Sequence, residues 1–321
     1  MSSSHQIPLL IDSLSAVQLN SYRERILTEI PEHFIGDPKY EIVYKIADDS
    51  PADYVRAIQE AEILRTRLKT YDHKSRRLIS LPSFVEVWND AKSGLADAII
   101  SSTDNNEAKW TLSHKFGYKI ATTFMPMYAK SIYEYFGAAR ILDPCAGWGD
   151  RMTGALSSTC VKRYVGFDPN ARLVPGYVQI QADFKNTITS DERNCVTFDG
   201  ACNCEIYSLP FETGAERLGD ERFEFAFTSP PFFDYEDYSD ENPSYKNWYK
   251  EFYEPLFSIT EQHLIPGAFF AVHIDDTSAG KIQDFLFQRV NRITSFRYRG
   301  KIGLVGGKSG KIRNVYLFQR S

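Results

Sequence analysis

Five short segments of almost unbroken apolar character recur along the second two-thirds of the chain, and they restrict its fold more than anything else in the sequence. They are residues 139–143 (ARILD), 163–168 (RYVGFD), 195–199 (CVTFD), 223–229 (FEFAFTS) and 268–274 (AFFAVHI). A strand that is apolar on both faces must be covered on both faces. Helical stretches fall between several of the five, notably 247–263 and 278–290. Continuous apolar strands alternating with helices predict an α/β fold with a parallel, doubly wound sheet. The end of the chain breaks this pattern. Residues 292–298 and 315–319 read as two strands separated by a glycine- and lysine-rich stretch, which predicts a closing antiparallel hairpin.

The first 110 residues lack the alternation. Apolar residues recur at helical spacing over 14–30, 51–71 and 83–100, with Ser13 and Ser83 as N-caps and Pro51 near a helix start, so this region is expected to be helical. A polar stretch at 101–107 (SSTDNNE) marks the boundary. It divides the chain into a helical N-terminal region, 1–110, a candidate for substrate recognition, and a second domain, 111–321. An aromatic-rich helix is expected over 118–136, bent at Pro126.

Of 321 residues, 43% are hydrophobic and 25% charged, an ordinary globular balance. No apolar run approaches the ~18–20 residues that span a bilayer. The N-terminal MSSSHQIPLL has no basic segment leading into an apolar core. The chain is therefore expected to be intracellular, in the cytoplasm or in a host cell if its source is viral, with no membrane partner. Cys145, Cys160, Cys195, Cys202 and Cys204 are scattered and odd in number, and no His pair sits at i, i+4, so neither a disulfide framework nor a metal site is expected. Net charge is −5, but it is unevenly spread: residues 65–77 carry +5 and residues 297–313 carry +6, leaving −16 on the remainder. Two basic runs on an acidic body are either a polyanion footprint or two solvated surfaces.

Chemistry enters at 141–154, ILDPCAGWGDRMTG, where a strand ends at Asp143, a turn holds Gly147 and Gly149, and a helix starts near Asp150. Glycines let a ligand approach the backbone closely, and a helix start presents free N–H groups. A G-x-G turn suits any dinucleotide binder or a purely structural turn. Asp143 at the strand tip would repel a pyrophosphate and favour a ligand with a cationic end. Asp168 ends the next strand, 25 residues on, where a carboxylate can accept both hydroxyls of a ribose or simply cap the following helix. Asp199 and Gly200 follow the third strand; Asp199 could accept from an adenine amino group, or the pair could be a plain Asp-Gly turn.

The segment 225–233, FAFTSPPFF, is the most specific. A buried strand runs into Ser229, Pro230, Pro231 and Phe232. Two prolines stiffen the backbone and remove two N–H donors, leaving carbonyls, a hydroxyl and an aromatic face. Such a tip suits a planar amine: acceptors take its two protons while a ring stacks on the base. That arrangement turns the nitrogen lone pair toward an electrophile. A lone Ser-Pro-Pro is otherwise a surface turn.

These segments resemble the class I S-adenosylmethionine-dependent methyltransferases of the amino-methyltransferase branch, which carry a (D/N/S)-P-P-(Y/F/W) tetrapeptide. The Ser form at 229–232 is most similar to N4-cytosine enzymes, and DPCAGWGDR with TSPPFFDYEDYS is similar to DNA-modification methylases of phage and viral genomes. The resemblance covers roughly 112–320. It implies a Rossmann-like, doubly wound, seven-stranded sheet ending in the antiparallel hairpin, and S-adenosylmethionine as cofactor. It implies that Asp143, Gly147 and Gly149 line the methionine end, with Pro144 and Ala146 of the same turn also on the cofactor. Asp168 then falls on the ribose, and Asp199 and Gly200 near the adenine. Ser229, Pro230, Pro231 and Phe232 hold the target amine, and residues 115–118 (KFGY) are a further cofactor contact. The implied reaction is methylation of an exocyclic amino nitrogen, N4 of cytosine in DNA, with DNA favoured over RNA as the partner.

Many such enzymes carry a long target-recognition insert, and no stretch after Phe232 has room for one. Recognition would then come from residues 1–110, from 234–248, or from the basic hairpin. Phe233, Tyr235, Tyr238, Tyr245 and Trp248 could stack bases or pack a lid. GLVGGKSG at 303–310 imitates a phosphate loop, but position 302 is Ile and strand-like NVYLF follows, so nucleotide-triphosphate hydrolysis is rejected. Cys145 follows a proline, yet it lies in the cofactor turn, where a ring-attacking nucleophile does not belong. The rival readings are N6-adenine methylation of DNA or RNA, methylation of a protein amide (where relatives carry Asn at position 229) or a small amine, and a non-catalytic binding subunit.

Overall fold

The computed structural model describes residues 41–45, 67–72, 77–80, 94, 98, 124, 126–232, 236–237, 248–276, 282–306 and 311–321. Its strands are β1 (Glu41–Lys45), β2 (Arg67–Asp72), β3 (Arg77–Ser80), β4 (Arg140–Asp143), β5 (Arg163–Phe167), β6 (Thr187–Glu192) and β7 (Cys195–Asp199), then β8 (Asn203–Tyr207), β9 (Phe223–Thr228), β10 (Glu236–Asp237), β11 (Leu264–His273), β12 (Arg297–Gly306) and β13 (Lys311–Gln319). The helices that matter for the site are α1 (Pro126–Phe136), α2 (Asp150–Leu156), α3 (Val174–Asp183), α4 (Glu254–His263) and α5 (Ile282–Gln288).

Ten strands make one sheet in the order β6-β7-β8-β5-β4-β9-β11-β13-β12-β1. Its central five, β8-β5-β4-β9-β11, are parallel. β13 runs antiparallel to β11 and to β12, which is the closing hairpin. The seven strands from β8 to β12 are the expected doubly wound unit. β7 and β6 extend one edge, and β1 extends the other by pairing parallel to β12.

Alternate residues of the central strands feed two cores. Ile141, Phe225, Phe227, Ala271 and Leu317 join one with Tyr133 of α1, Met152 of α2 and Tyr177 of α3. Leu142, Ala226, Phe270, Val272 and Phe318 join the other with Leu256 and Phe257 of α4 and Phe285 of α5. Residues such as Phe225, Phe227 and Phe270 are at most 1% exposed. Removing each such side chain from water is worth about 1.5–3 kcal/mol. The two-sided burial is the physical reason these strands read as continuous apolar runs.

Several expectations need correction. Residues 195–199 do form a strand, but β7 is antiparallel to β8, and the third parallel strand is Asn203–Tyr207. Only residues 200–202 separate the two, too few for a parallel crossover, which needs a dozen or more. The N-terminal region is not purely helical: β1, β2 and β3 lie in it, and β2 occupies the end of the expected 51–71 helix. Arg67, Leu68, Lys69, Thr70 and Tyr71 pair as strand with β10 or β3, cross-strand hydrogen bonds overriding helical propensity. The other N-terminal helices lie outside the described residues. Pro126 is not a bend but the first residue of α1, where its missing N–H costs nothing. β12 and β13 reach through the basic stretch, so most of residues 297–313 is strand rather than loop, and residues 303–306 of the false phosphate loop lie in β12.

α1 and α2 meet at Gly154. A Cβ there would lie 2.7 Å from the Pro126 carbonyl oxygen and 2.9 Å from the Lys130 nitrogen, both backbone atoms that cannot swing aside. Gly154→Ala is expected to lower stability by about 1–3 kcal/mol in urea unfolding despite alanine's better helix propensity. An unchanged midpoint would show that the two helices are not locked at this contact.

Candidate active site

The strand order reverses direction between β4 and β9: the chain leaves β4 toward β5 and β8 on one side, and β9 and β11 lie on the other. Loops at the carboxyl ends of these two strands diverge and leave a crevice, the place where open α/β sheets bind ligands. The turn after β4 contains Gly147 and Gly149, and the turn after β9 is Ser229-Pro230-Pro231-Phe232. Both informative motifs therefore meet at the one crevice.

Asp143 is 0% exposed at the tip of β4. Its Oδ2 accepts from Arg151 Nε at 2.8 Å and from the Tyr164 hydroxyl at 2.6 Å. Its Oδ1 accepts from Arg151 Nη2 and from the Cys145 N–H, each at 3.2 Å. Arg151 also donates to the Cys145 carbonyl and lies over the rings of Phe124 and Phe227. Burial, the largest single effect, would lower the pKa of the guanidinium, but Asp143 together with the Tyr164 and Tyr133 phenols outweighs it, so Arg151 stays charged. Asp143 is thus an internal counter-ion. It is not the free carboxylate that the sequence suggested for a cationic ligand end.

The glycine turn is locked from both sides. Gly147 donates its N–H to Asp168 Oδ2 at 3.0 Å, and its carbonyl accepts from the Tyr177 hydroxyl at 2.5 Å. Both backbone polar groups of Gly147 are therefore in use. The two glycines serve different needs. Gly149, at φ 89°, is in a backbone conformation that strains any side chain, and a Cβ there would also stand 2.9 Å from Ile180 Cδ1 of helix α3, which would have to shift. Gly147, at φ 59°, meets among the described residues only the Cys145 carbonyl at 4.0 Å, so against them its Cα side is open. Pro144 and Ala146 are buried, and Ala146 donates to the Phe167 carbonyl at 2.7 Å; they hold the turn from beneath.

Asp168 follows β5 directly. Besides Gly147, it accepts from the Asn170 N–H at 2.9 Å through Oδ1. Burial raises its carboxyl to about 6, against the lowering effect of the Asn170 and Gly147 bonds. Each oxygen carries one backbone bond and retains acceptor capacity.

Asp199 and Gly200 are not at this end of the sheet. Asp199 opposes Thr187, and Phe198 opposes Cys204 near the start of β8, so both residues sit beyond the amino ends of the parallel strands. The antiparallel run of β7 is the reason. The position they were expected to fill falls to Ser208 and Leu209, which are half-buried after β8.

At the β9 tip, Ser229 Oγ lies 3.1 Å from His273 Nδ1, the donor depending on the imidazole tautomer. The Pro231 carbonyl accepts from the Tyr253 hydroxyl at 3.2 Å. Tyr253 closes a π-helical turn, Trp248–Tyr253, that leads into α4. Phe232 is half-buried, and its ring meets His273 edge-on at 6.5 Å. Trp248 packs on Phe252 at 5.0 Å and is 7% exposed, so it belongs to the buried core beside α4 and is not a base platform. Residues 115–118, Phe233, Tyr235, Tyr238 and Tyr245 lie outside the described residues. Burial pushes the Cys145 thiol up, far from a reactive thiolate.

Sequence reasoning missed His273, Tyr253, Phe124 and Arg151. His273 had a readable signal, being the polar end of an apolar strand. Phe124, whose N–H donates to Asp150 Oδ2 at 3.2 Å and whose ring lies 5.2 Å from His273, had none. Among the described residues, no cluster of His, Cys, Asp or Glu could hold a metal, and no helix is long and apolar enough to cross a membrane.

No family model matches the chain, and no curated protein matches it. Solved structures similar to it include a methyltransferase from Pyrococcus furiosus, at 14% identity and TM-score 0.43, covering 66% of this chain and 94% of the other. An rRNA methylase from Streptococcus thermophilus matches at 12% identity and TM-score 0.40, covering 63% and 100%. Trm1 from Pyrococcus horikoshii, in complex with S-adenosyl-L-methionine, matches at 10% identity and TM-score 0.44, covering 62% and 57%.

Two predictions follow from the charges. Arg151→Met strands a buried carboxylate and is expected to cost about 3–5 kcal/mol, while adding Asp143→Leu should recover much of that loss. Urea unfolding of the single and double variants checks this; equal losses would show that the pair does not act as a unit. Asp168 has a folded pKa of about 6 against an ordinary 3.8. Its stabilising contribution is therefore complete below pH 3.8 and is lost as pH rises to about 6. Asp168→Asn lacks this loss, so its stability relative to wild type should climb across that window; a flat difference would mean that the carboxyl is not raised.

Proposed function

We propose that this chain is a methyltransferase that moves a methyl group from S-adenosylmethionine to an exocyclic amino nitrogen of a nucleobase, N4 of cytosine in DNA. The observation that carries the reading is the meeting of the glycine turn and the Ser229–Phe232 tetrapeptide at the β4/β9 crevice.

The residues present fit the cofactor in part. The open side of Gly147 leaves room for a ligand against the backbone, and Asp168 keeps acceptor capacity for ribose hydroxyls. Asp143 contributes by holding the turn through Arg151 rather than by touching the ligand. Asp199 and Gly200 have no part in it.

When bound, S-adenosylmethionine supplies an electrophilic methyl group. The chain's own residues orient the nucleophile. Ser229 Oγ accepts an N–H of the target amine, Pro230 and Pro231 present no competing donors, and Phe232 offers a ring face for stacking. Holding the amine this way aligns its lone pair for in-line attack. The surplus proton leaves the nitrogen after transfer, so no strong base is needed, and no covalent intermediate on Cys145 is involved. A base paired in a duplex would have to be flipped out to reach the crevice.

Nucleic acid is the favoured partner because of where the basic run at 65–77 lies. Its strand β2 pairs with Glu236–Asp237, only four residues beyond Phe232. The pairing ties Arg67 and Lys69 on β2, with Arg77 on the adjoining β3, to the chain segment that leaves the tetrapeptide. Such a run supplies local phosphate attraction on a chain of net negative charge. We propose that residues 1–110 serve recognition and 111–321 the transfer.

Labelled S-adenosylmethionine should pass its methyl group to unmethylated DNA and yield N4-methylcytosine on nucleoside mass analysis. Ser229→Ala should lower kcat about 10²–10³-fold while leaving cofactor affinity unchanged. N6-methyladenine in DNA or RNA would change the base and keep the class. Label confined to protein or small molecules would overturn the nucleic-acid assignment, and no transfer to any pool would overturn the reading itself.

A further inference from the structure

The hydroxyl of Ser229 is held by a side chain from the neighbouring strand. β11 runs parallel to β9 with Val272 opposite Thr228, so the next residue of each strand, His273 and Ser229, emerge side by side at the crevice. His273 is 8% exposed. Its ring is fixed edge-on against Phe124 at 5.2 Å and against Phe232 at 6.5 Å, and its Nδ1 lies 3.1 Å from Ser229 Oγ. One imidazole therefore meets both working parts of the tetrapeptide, the Ser229 hydroxyl and the Phe232 ring.

A lone serine samples three staggered rotamers and rotates its O–H freely. That freedom is harmful beside an amine nucleophile. A hydroxyl that turned its proton toward the target nitrogen would hydrogen-bond the lone pair that must attack. Tying the proton elsewhere removes this competition and leaves both Oγ lone pairs to accept N–H from the amine.

We propose that His273 is a positioning residue: its Nδ1 accepts the Ser229 hydroxyl proton and so presents Ser229 Oγ to the target amine as an acceptor only. The proposal rests on the methyl-transfer reading above. It requires the tautomer that carries its proton on Nε2, with Nδ1 unprotonated and facing the Ser229 hydroxyl. The packing of Phe124 and Phe232 against the ring keeps Nδ1 aimed at the hydroxyl and holds the stacking face in register with it.

Five variants and one spectrum test this. His273→Ala should lower kcat about 10- to 100-fold with the KM for S-adenosylmethionine unchanged. His273→Asn places an amide atom near the Nδ1 position and should recover much of the loss; His273→Gln reaches the Nε2 position and should not. Ser229→Ala combined with His273→Ala should be no slower than Ser229→Ala alone, because one acts through the other. The proposal is overturned if His273→Ala keeps full kcat, if the two losses multiply, or if Gln rescues as well as Asn. ¹⁵N spectra of the imidazole give a readout independent of turnover. Nδ1 should report an unprotonated acceptor whose resonance moves in Ser229→Ala; a protonated Nδ1, or no movement, sinks the proposal. A wild-type chain that transfers no methyl group to any substrate would instead defeat the methyl-transfer reading, with the spectrum still deciding whether the hydrogen bond exists.

Discussion

A carboxylate taken wholly out of water at the end of a central strand has to be matched, and Arg151 matches Asp143 here with two hydrogen bonds, at 2.8 and 3.2 Å. Much of the crevice hangs on this pair. Arg151 lies on the first turn of α2, so the bond pins that helix to the tip of β4 and fixes how the intervening turn closes. The same guanidinium reaches the Cys145 carbonyl and supports the rings of Phe124 and Phe227. A buried ion pair need not add net stability, since desolvation opposes the Coulomb gain. What this one contributes is a single geometry for the turn, because any other closure would leave a charge unpaired.

From that fixed point the crevice is assembled by side chains that each tie two elements together. Asp168, after β5, holds Gly147 across the turn, and Tyr177 of α3 holds the Gly147 carbonyl from the other side. Tyr253, from the π-helical turn before α4, holds Pro231. Such turns occur often at functional sites, where the extra residue re-aims a side chain. Here it brings a phenol to the tetrapeptide from a helix that otherwise only covers the sheet. On the proposed reading, the surface left for a ligand is mainly the side of Gly147 that the described residues leave open, the acceptor capacity of Asp168, and the Ser229–His273 pair.

The fold was legible in the chain wherever burial dictated residue type. β4, β5, β9 and β11 were readable because strands covered on both faces must be apolar throughout, and the closing hairpin because its two strands flank a glycine-rich stretch. β7 was legible as a strand but not in direction. Its apolar alternation is the same whether it runs with β8 or against it; only the three-residue link betrays the antiparallel choice, and that error moved Asp199 to the wrong end of the sheet. β2 was lost because the apolar spacing over 51–71 is helical, and pairing with β3 four residues on and with distant Glu236–Asp237 overrides that spacing.

For the site, the sequence by itself determined which residues are chemically eligible: the glycines with their left-handed backbone, the carboxylates at strand tips, and a proline pair stripped of N–H donors. These are local properties, set by covalent structure and by the strand-turn-helix pattern around them. Only the tertiary structure decided how each is used. It gave Asp143 an internal partner eight residues along, placed Asp168 on the backbone of a turn 21 residues away, and set His273 beside Ser229 across 44 residues. The reason is that a charge or a hydroxyl takes its role from the nearest group that can satisfy it, and in a parallel sheet that group comes from the neighbouring strand or the helix packed on it.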